Sequence, residues 1–170
     1  MSKTEHPGSS GVAIVGAGLV GLGWAIVFAR AGLNVRVFDR SKELVATLPA
    51  KLEQSLSDLE SFGLIARPQE ISRRVSYCDT LEEAVDGVGY IQESVLERVD
   101  VKRALYEELD GMLGENTIVG SSSSGIPSSD FTEGLSISPR CLVAHPVNPP
   151  YLVPVVELVP ASWTLPEGVD

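Results

Sequence analysis

Apolar residues fall along this chain in two rhythms. Short apolar runs bounded by turn residues occur at Gly11–Gly16, Asn34–Asp39, Arg74–Tyr77, Gly89–Glu93, Thr117–Gly120, Cys141–Ala144 and Val153–Val159, and each has the length and flanks of a strand. Between them the spacing changes to that of helices. One helix is predicted from Leu19 to Ala31, with Gly32 as its C-terminal stop. A second starts at Ser41 and sets Leu44, Val45, Leu48, Leu52, Leu56 and Leu59 on one face. Pro49 lies inside that pattern and predicts a break or a kink. Further helices are expected over Thr80–Val85 and Asp100–Leu109. Strands alternating with helices imply parallel βαβ units, hence an α/β fold with a doubly wound, mostly parallel sheet.

The chain has 170 residues, enough for one domain with a full core. Residues 1–10, with Lys3, Glu5 and His6 and no apolar stretch, read as a flexible leader and not a signal peptide. Residues 11–163 form the predicted domain. Over 164–170 Thr164 stands as an N-cap candidate followed by Pro166 and Glu167. The expectation is a helix start, the beginning of a truncated second domain. A net charge of −10 argues against nucleic acid or an anionic membrane surface as a partner. The longest apolar runs, such as Leu152–Val156, are too short to cross a bilayer. Cys78 and Cys141 suggest neither a disulfide framework nor a metal cluster, and read as reduced thiols of a cytoplasmic protein.

Chemistry enters at Gly16-Ala17-Gly18-Leu19-Val20-Gly21, a G-x-G-x-x-G string. It follows a predicted strand, opens a predicted helix, and precedes Asp39 at the end of the next strand, the context of a Rossmann-type dinucleotide site. Gly16 permits the tight turn, Gly18 clears space for the pyrophosphate, and Gly21 allows close packing of helix on strand. The N–H groups of Leu19 and Val20 would face the phosphates, aided by the helix dipole. Asp39 can accept hydrogen bonds from both hydroxyls of the adenine ribose and would repel a 2′-phosphate, which favours NAD over NADP. Arg40 beside it could stack on adenine or tolerate that phosphate.

His145 is the one histidine outside the leader and sits just past a predicted strand, beside Pro146-Val147-Asn148-Pro149-Pro150. Open α/β sheets bind ligands in such loops. Glu157 follows after a proline-rich turn, so the two could meet as antiparallel neighbours. A carboxylate beside an imidazole fixes its tautomer, which suits a base taking a proton from an alcohol while hydride leaves for nicotinamide. A structural histidine satisfied by a nearby carboxylate is the plainer alternative.

The run from Cys141 to Tyr151, with Val155-Val156-Glu157-Leu158-Val159-Pro160, resembles the 3-hydroxyacyl-CoA dehydrogenase superfamily, and within it the λ-crystallin / L-gulonate 3-dehydrogenase branch. The resemblance extends from about Gly11 to Pro160. It implies that His145 is the catalytic histidine and Glu157 the acid paired with it. By the same resemblance Ser124 hydrogen-bonds the reacting hydroxyl, and Asn148 is a polar residue near the nicotinamide. Glu97 and Lys102 match positions that bind NAD; from chemistry alone both would be solvated charges flanking a helix start. The family's second, helical domain closes the substrate cleft and forms a homodimer, so this chain would supply only the NAD-binding half and be catalytically incomplete alone.

Two differences from the acyl-CoA enzymes bear on the substrate. They carry Phe-Phe after the histidine and an Asn-Thr pair in the serine loop, where this chain has Pro146-Val147 and Ser122-Ser123. Their helix after the second strand is rich in lysine, whereas Leu52–Glu60 here is acidic, which opposes the phosphates of CoA. The expected reaction is NAD-dependent oxidation of the 3-hydroxy group of a small hydroxy acid, with L-gulonate to 3-dehydro-L-gulonate as the leading substrate pair. The alternatives are a 3-hydroxyacyl-CoA or carnitine-type dehydrogenase, and a non-catalytic, NAD-binding crystallin-like protein.

Overall fold

A computed structural model describes residues 11–169. Among the described residues seven strands make one sheet: β1 (Val12–Val15), β2 (Val35–Phe38), β3 (Val75–Tyr77), β4 (Tyr90–Glu93), β5 (Ile118–Ser121), β6 (Cys141–Pro146) and β7 (Val156–Pro160). Their order is β3-β2-β1-β4-β5-β6-β7, and all neighbours are parallel except β6 and β7. The chain winds outward from β1 in one direction to β3, then returns to β4 on the other side of β1. That reversal opens a crevice beyond the carboxyl ends of β1 and β4, the usual ligand position in a doubly wound sheet.

Side chains along β1 show why the sheet is covered on both faces. Val12 and Ile14 join a cluster that includes Leu22, Ala25, Ile26, Leu48, Leu52 and Leu56, while Ala13 and Val15 join Leu81, Leu105, Tyr106 and Leu109 on the opposite face. The period of two along a strand sorts them, and near-continuous apolar sequence is what a strand buried on both faces needs. The helices supplying these layers are α1 (Leu19–Arg30), α2 (Lys42–Ser61), α4 (Leu81–Val85) and α5 (Val99–Asp110). The short α3 (Pro68–Ser72) and α6 (Ser129–Thr132) carry little periodic signal and were not predicted. Gly32 takes a φ of 93° just after α1, as a helix stop should.

Three expectations need correction. Pro49 does not break α2, which runs unbroken from Lys42 to Ser61. Pro49 is exposed, so the carbonyl it deprives of a partner can face water, while Leu48, Leu52, Leu56 and Leu59 anchor the opposite side in the core. Leu44, placed with them on one face, is instead 40% exposed in the first turn. Thr164 caps no helix. Its hydroxyl donates to Cys141 O at 2.8 Å and accepts from Ala161 N at 2.9 Å, folding the segment back on β6; a single 3-10 turn (Pro166–Gly168) follows. The polar leader lies outside the described residues.

Cys78 and Cys141 are both free; burial pushes the Cys141 thiol up to about 12, and it donates to Ile137 O. No helix among the described residues is long and apolar enough to cross a membrane. Because a proline in a helix interior disfavours the helix by roughly 3 kcal/mol relative to alanine, Pro49→Ala should stabilise the fold by about 1–3 kcal/mol. Urea unfolding would show this as a higher midpoint with an unchanged slope; an unchanged or lower midpoint would mean that the ring contributes packing of its own.

Candidate active site

The glycine turn is built from contacts that only glycine tolerates. Gly16 has a φ of 112°, and a Cβ there would lie 2.4 Å from Ser94 O, because the turn presses against the end of β4. A Cβ on Gly21 would meet Gly16 O at 1.9 Å, so the first turn of α1 closes directly over β1. Gly18 differs: nothing lies within 4 Å of its would-be Cβ. Its lack of a side chain serves no contact within the chain and leaves room for something else. Gly18 is also the N-cap of α1, with no side-chain cap and no acidic residue in the first turn. The amides of Leu19, Val20 and Gly21 therefore keep free donors at the positive end of the helix dipole. Leu19, 84% exposed, stands over this open end. Room beside Gly18 and unused donors together suit the pyrophosphate of a dinucleotide.

Asp39 closes the turn from the other side. Its carboxylate accepts from Ala17 N at 2.7 Å and Ser41 N at 2.8 Å, which joins the end of β2 to the glycine turn. Each oxygen retains a lone pair for a ribose hydroxyl. Arg40 points elsewhere: its guanidinium pairs with Glu108 of α5, so neither role considered for it, adenine stacking or phosphate tolerance, is set up in this conformation.

His145 and Glu157 face each other across the β6–β7 ladder, as the spacing predicted, with Nδ1 3.1 Å from Glu157 Oε2. The carboxylate can only accept, so Nδ1 carries the proton and Nε2 is left as the basic atom. A cavity of about 270 Å³ lies beside them, bounded by Val20, Ser94, Glu97, Ser122, Ser124 and Asn148 among others. Asn148 reaches it from an exposed loop that docks on α1 where Gly23 leaves space; a Cβ there would come within 2.7 Å of Pro150. Larger cavities exist on the outer faces of the helices, but they lack this convergence of polar groups at the strand ends.

The serine loop is held by Glu97. Its Oε1 accepts from Ser123 Oγ (2.8 Å), Ser124 N (2.8 Å) and Gly125 N (3.0 Å), and lies 3.5 Å from Ser124 Oγ. Partial burial alone would raise the Glu97 carboxyl. The Gly125 N–H, the Ser123 hydroxyl, the Ser124 N–H and the Lys102 charge outweigh it and hold the group below the ordinary value of 4.5. Lys102 is no solvated charge. Its ammonium, 1% exposed, bonds Glu93 Oε1 at 2.9 Å and Oε2 at 3.0 Å, with Ser121 Oγ at 3.4 Å and Glu97 Oε2 at 3.7 Å. It sits behind the cavity wall and supports the loop, without a face toward the cavity.

Sequence reasoning missed a second group. Ser122 and Ser94 line the cavity, and Gln92 and Trp24 hold Ser122 from behind. The available signal was a glutamine and an indole N–H inside segments otherwise apolar, since buried polar atoms need partners.

The sequence profile described as "3-hydroxyacyl-CoA dehydrogenase, NAD binding domain" matches residues 11–170. The chain is 43% identical to the lambda-crystallin homolog of Bos taurus over 96% of its own length and 53% of that protein's. It is 37% identical to the L-carnitine dehydrogenase of Streptomyces griseus over 94% of this chain and 47% of that protein. Among solved structures, the (S)-3-hydroxybutyryl-CoA dehydrogenase of Ralstonia eutropha superposes with a TM-score of 0.85 at 29% identity, covering 94% of this chain and 56% of that one. The chain thus spans about half the length of these relatives.

Two pairs of measurements check the site. Gly18→Ala should leave the unfolding midpoint unchanged and weaken NADH binding, whereas Gly21→Ala should destabilise the fold by about 1–3 kcal/mol or more; equal stability loss in both would contradict the open space at Gly18. Glu97 has a depressed folded-state pKa, so its stabilisation is present above about 4.5, its ordinary value, and is lost as pH falls through the lower folded value. The stability gap between the parent and Glu97→Gln should accordingly be largest near neutral pH and shrink below that value; a gap independent of pH would refute it.

Proposed function

Because the chain belongs to the 3-hydroxyacyl-CoA dehydrogenase family, as its NAD-binding domain, we propose that it supplies the cofactor half of an NAD-dependent dehydrogenase that oxidises the 3-hydroxy group of a small hydroxy acid. The observation that carries this is the His145–Glu157 pair at the edge of a cavity that also holds Ser124 and Asn148. Oxidising a secondary alcohol removes a proton and a hydride. NAD, when bound, supplies the hydride acceptor. His145 takes the hydroxyl proton at Nε2, and Glu157 holds the ring in that tautomer and stabilises the imidazolium that results. Ser124 and Asn148 orient the substrate oxygen.

The acidity of α2 favours a small acid over a CoA ester: it carries Glu43, Glu53, Asp58 and Glu60 against Lys42 and Lys51. Phosphate recognition wants basic side chains or free backbone donors. L-gulonate is the leading candidate. The 37% identity to a protein named L-carnitine dehydrogenase supports a second reading, a 3-hydroxy acid bearing a quaternary ammonium.

NADH formation by the full-length protein with L-gulonate, L-carnitine and L-3-hydroxybutyryl-CoA separates these readings. Preference for gulonate supports the first, and preference for carnitine the second. Preference for the CoA ester rejects the argument from α2. Binding of NADH with no turnover of any of the three would favour a crystallin-like, non-catalytic role. In the active protein His145→Ala should cost about 10²- to 10⁴-fold in kcat with NADH affinity kept; near-normal kcat would remove His145 from the mechanism.

A further inference from the structure

Beside the His145–Glu157 pair, polar groups from α1, β4 and the loop after β4 converge on one hydroxyl in the loop after β5, that of Ser122, and their geometry sets the direction of every hydrogen bond. Gln92 is fully buried, and one terminal atom of its amide lies 3.2 Å from Ala144 O. A carbonyl oxygen can only accept, so that atom is Nε2 and the other is Oε1. Oε1 then accepts from Tyr90 OH at 2.6 Å, and burial keeps that phenol protonated by raising its pKa. The second Nε2 hydrogen goes to Ser122 Oγ at 2.8 Å. Trp24 Nε1, which can only donate, approaches the same oxygen at 3.1 Å.

Ser122 Oγ therefore has both lone pairs occupied by N–H donors. Its own hydrogen must go to the remaining neighbour, Ser94 Oγ at 2.8 Å. Ser94 accepts there, and among the described residues its hydroxyl has no other bonded partner. Ser94 lines the cavity, so its hydrogen is left to donate into that space.

We propose that Ser94 is a cofactor-positioning residue: a hydrogen-bond donor of fixed direction that binds an oxygen on the nicotinamide-riboside half of NAD. Its place in the fold selects that half. Ser94 N donates to Val15 O at 2.7 Å, and Ser94 O is the atom that a Cβ on Gly16 would strike. The residue thus adjoins the glycine turn on one side and shares a cavity with His145 on the other. On the dehydrogenase reading proposed above, a dinucleotide with its pyrophosphate at the start of α1 and its hydride-accepting ring near His145 would bring its second riboside past Ser94. Two oxygens there share acceptor chemistry, a ribose hydroxyl and the carboxamide carbonyl. A serine whose orientation is set beforehand binds such an oxygen without ordering its own rotor on association.

The test is ligand binding by the chain and its variants, by calorimetry, with NADH, ADP-ribose and ADP. Ser94→Ala should weaken NADH by roughly three- to tenfold, the worth of one ordinary hydrogen bond, and leave ADP unchanged. An equal loss with ADP-ribose assigns the bond to the ribose; no loss with ADP-ribose assigns it to the carboxamide. Trp24→Phe removes one of the two donors that orient Ser122, and should give a smaller NADH loss, again without change for ADP. Unchanged NADH affinity in Ser94→Ala overturns the proposal, and so does a loss that falls equally on ADP. Unchanged NADH affinity in Trp24→Phe overturns the fixed direction of the relay.

Discussion

Glu93 and Lys102 form an ion pair with almost no contact with water, at the point where the sheet ends and the site begins. Burying either charge alone would cost several kcal/mol, and removing one partner of such a pair costs about 3–5 kcal/mol. Here the charges are shared out. Both Glu93 oxygens meet the ammonium, Ser121 Oγ donates to Oε2 at 2.5 Å, and Val95 N donates to Oε1 at 2.8 Å. These bonds tie β4, β5, α5 and the loop after β4 into one unit. Ser94 and Ser122, the next residues after Glu93 and Ser121, leave the sheet from this fixed base, and Ser122 N still donates to Glu93 O at 2.8 Å.

From that base the walls of the cavity are held in separate ways. The serine loop has no regular structure, yet three donors converge on one Glu97 oxygen and give it a defined path. His145 is placed by the β6–β7 ladder, and β7 is antiparallel to the rest of the sheet, which lets Glu157 come back beside it. Asn148 depends on a close approach of Pro150 to Gly23 on α1. A rigid sheet thus presents loops that are free of secondary structure but not of hydrogen bonds, the usual division of labour in α/β proteins.

Much of this was legible beforehand. All seven strands were expected within a few residues of their positions, because parallel strands buried on both faces must be apolar throughout and bounded by turns. The glycine turn was legible because each glycine answers a local geometric demand, and His145 with Glu157 because a proline-rich turn between two strand patterns brings its flanks together. The short α3 and α6 were not, since a helix of about one turn leaves no period and neither has a side-chain N-cap such as Thr80 gives the equally short α4. Pro49 misled because helix propensity was weighed without knowing that the leucine row beside it was anchored in the core.

What the sequence determined by itself was therefore whatever depends on neighbours close along the chain: the alternation of strand and helix, the glycine turn with the carboxylate that ends the next strand, and the pairing of a histidine with an acid across one turn. Only the tertiary structure decided the fate of polar residues whose partners are remote. From chemistry alone Lys102, matched by resemblance to an NAD-binding position, would be a solvated charge; it is buried, because Glu93 and Ser121 reach it from neighbouring strands. Trp24, Gln92 and Ser122 looked unrelated and share one oxygen atom, 98 residues apart along the chain at the extreme. A hydrogen bond is directional and short, so the groups that must satisfy it are known only once the sheet order has placed distant strands side by side.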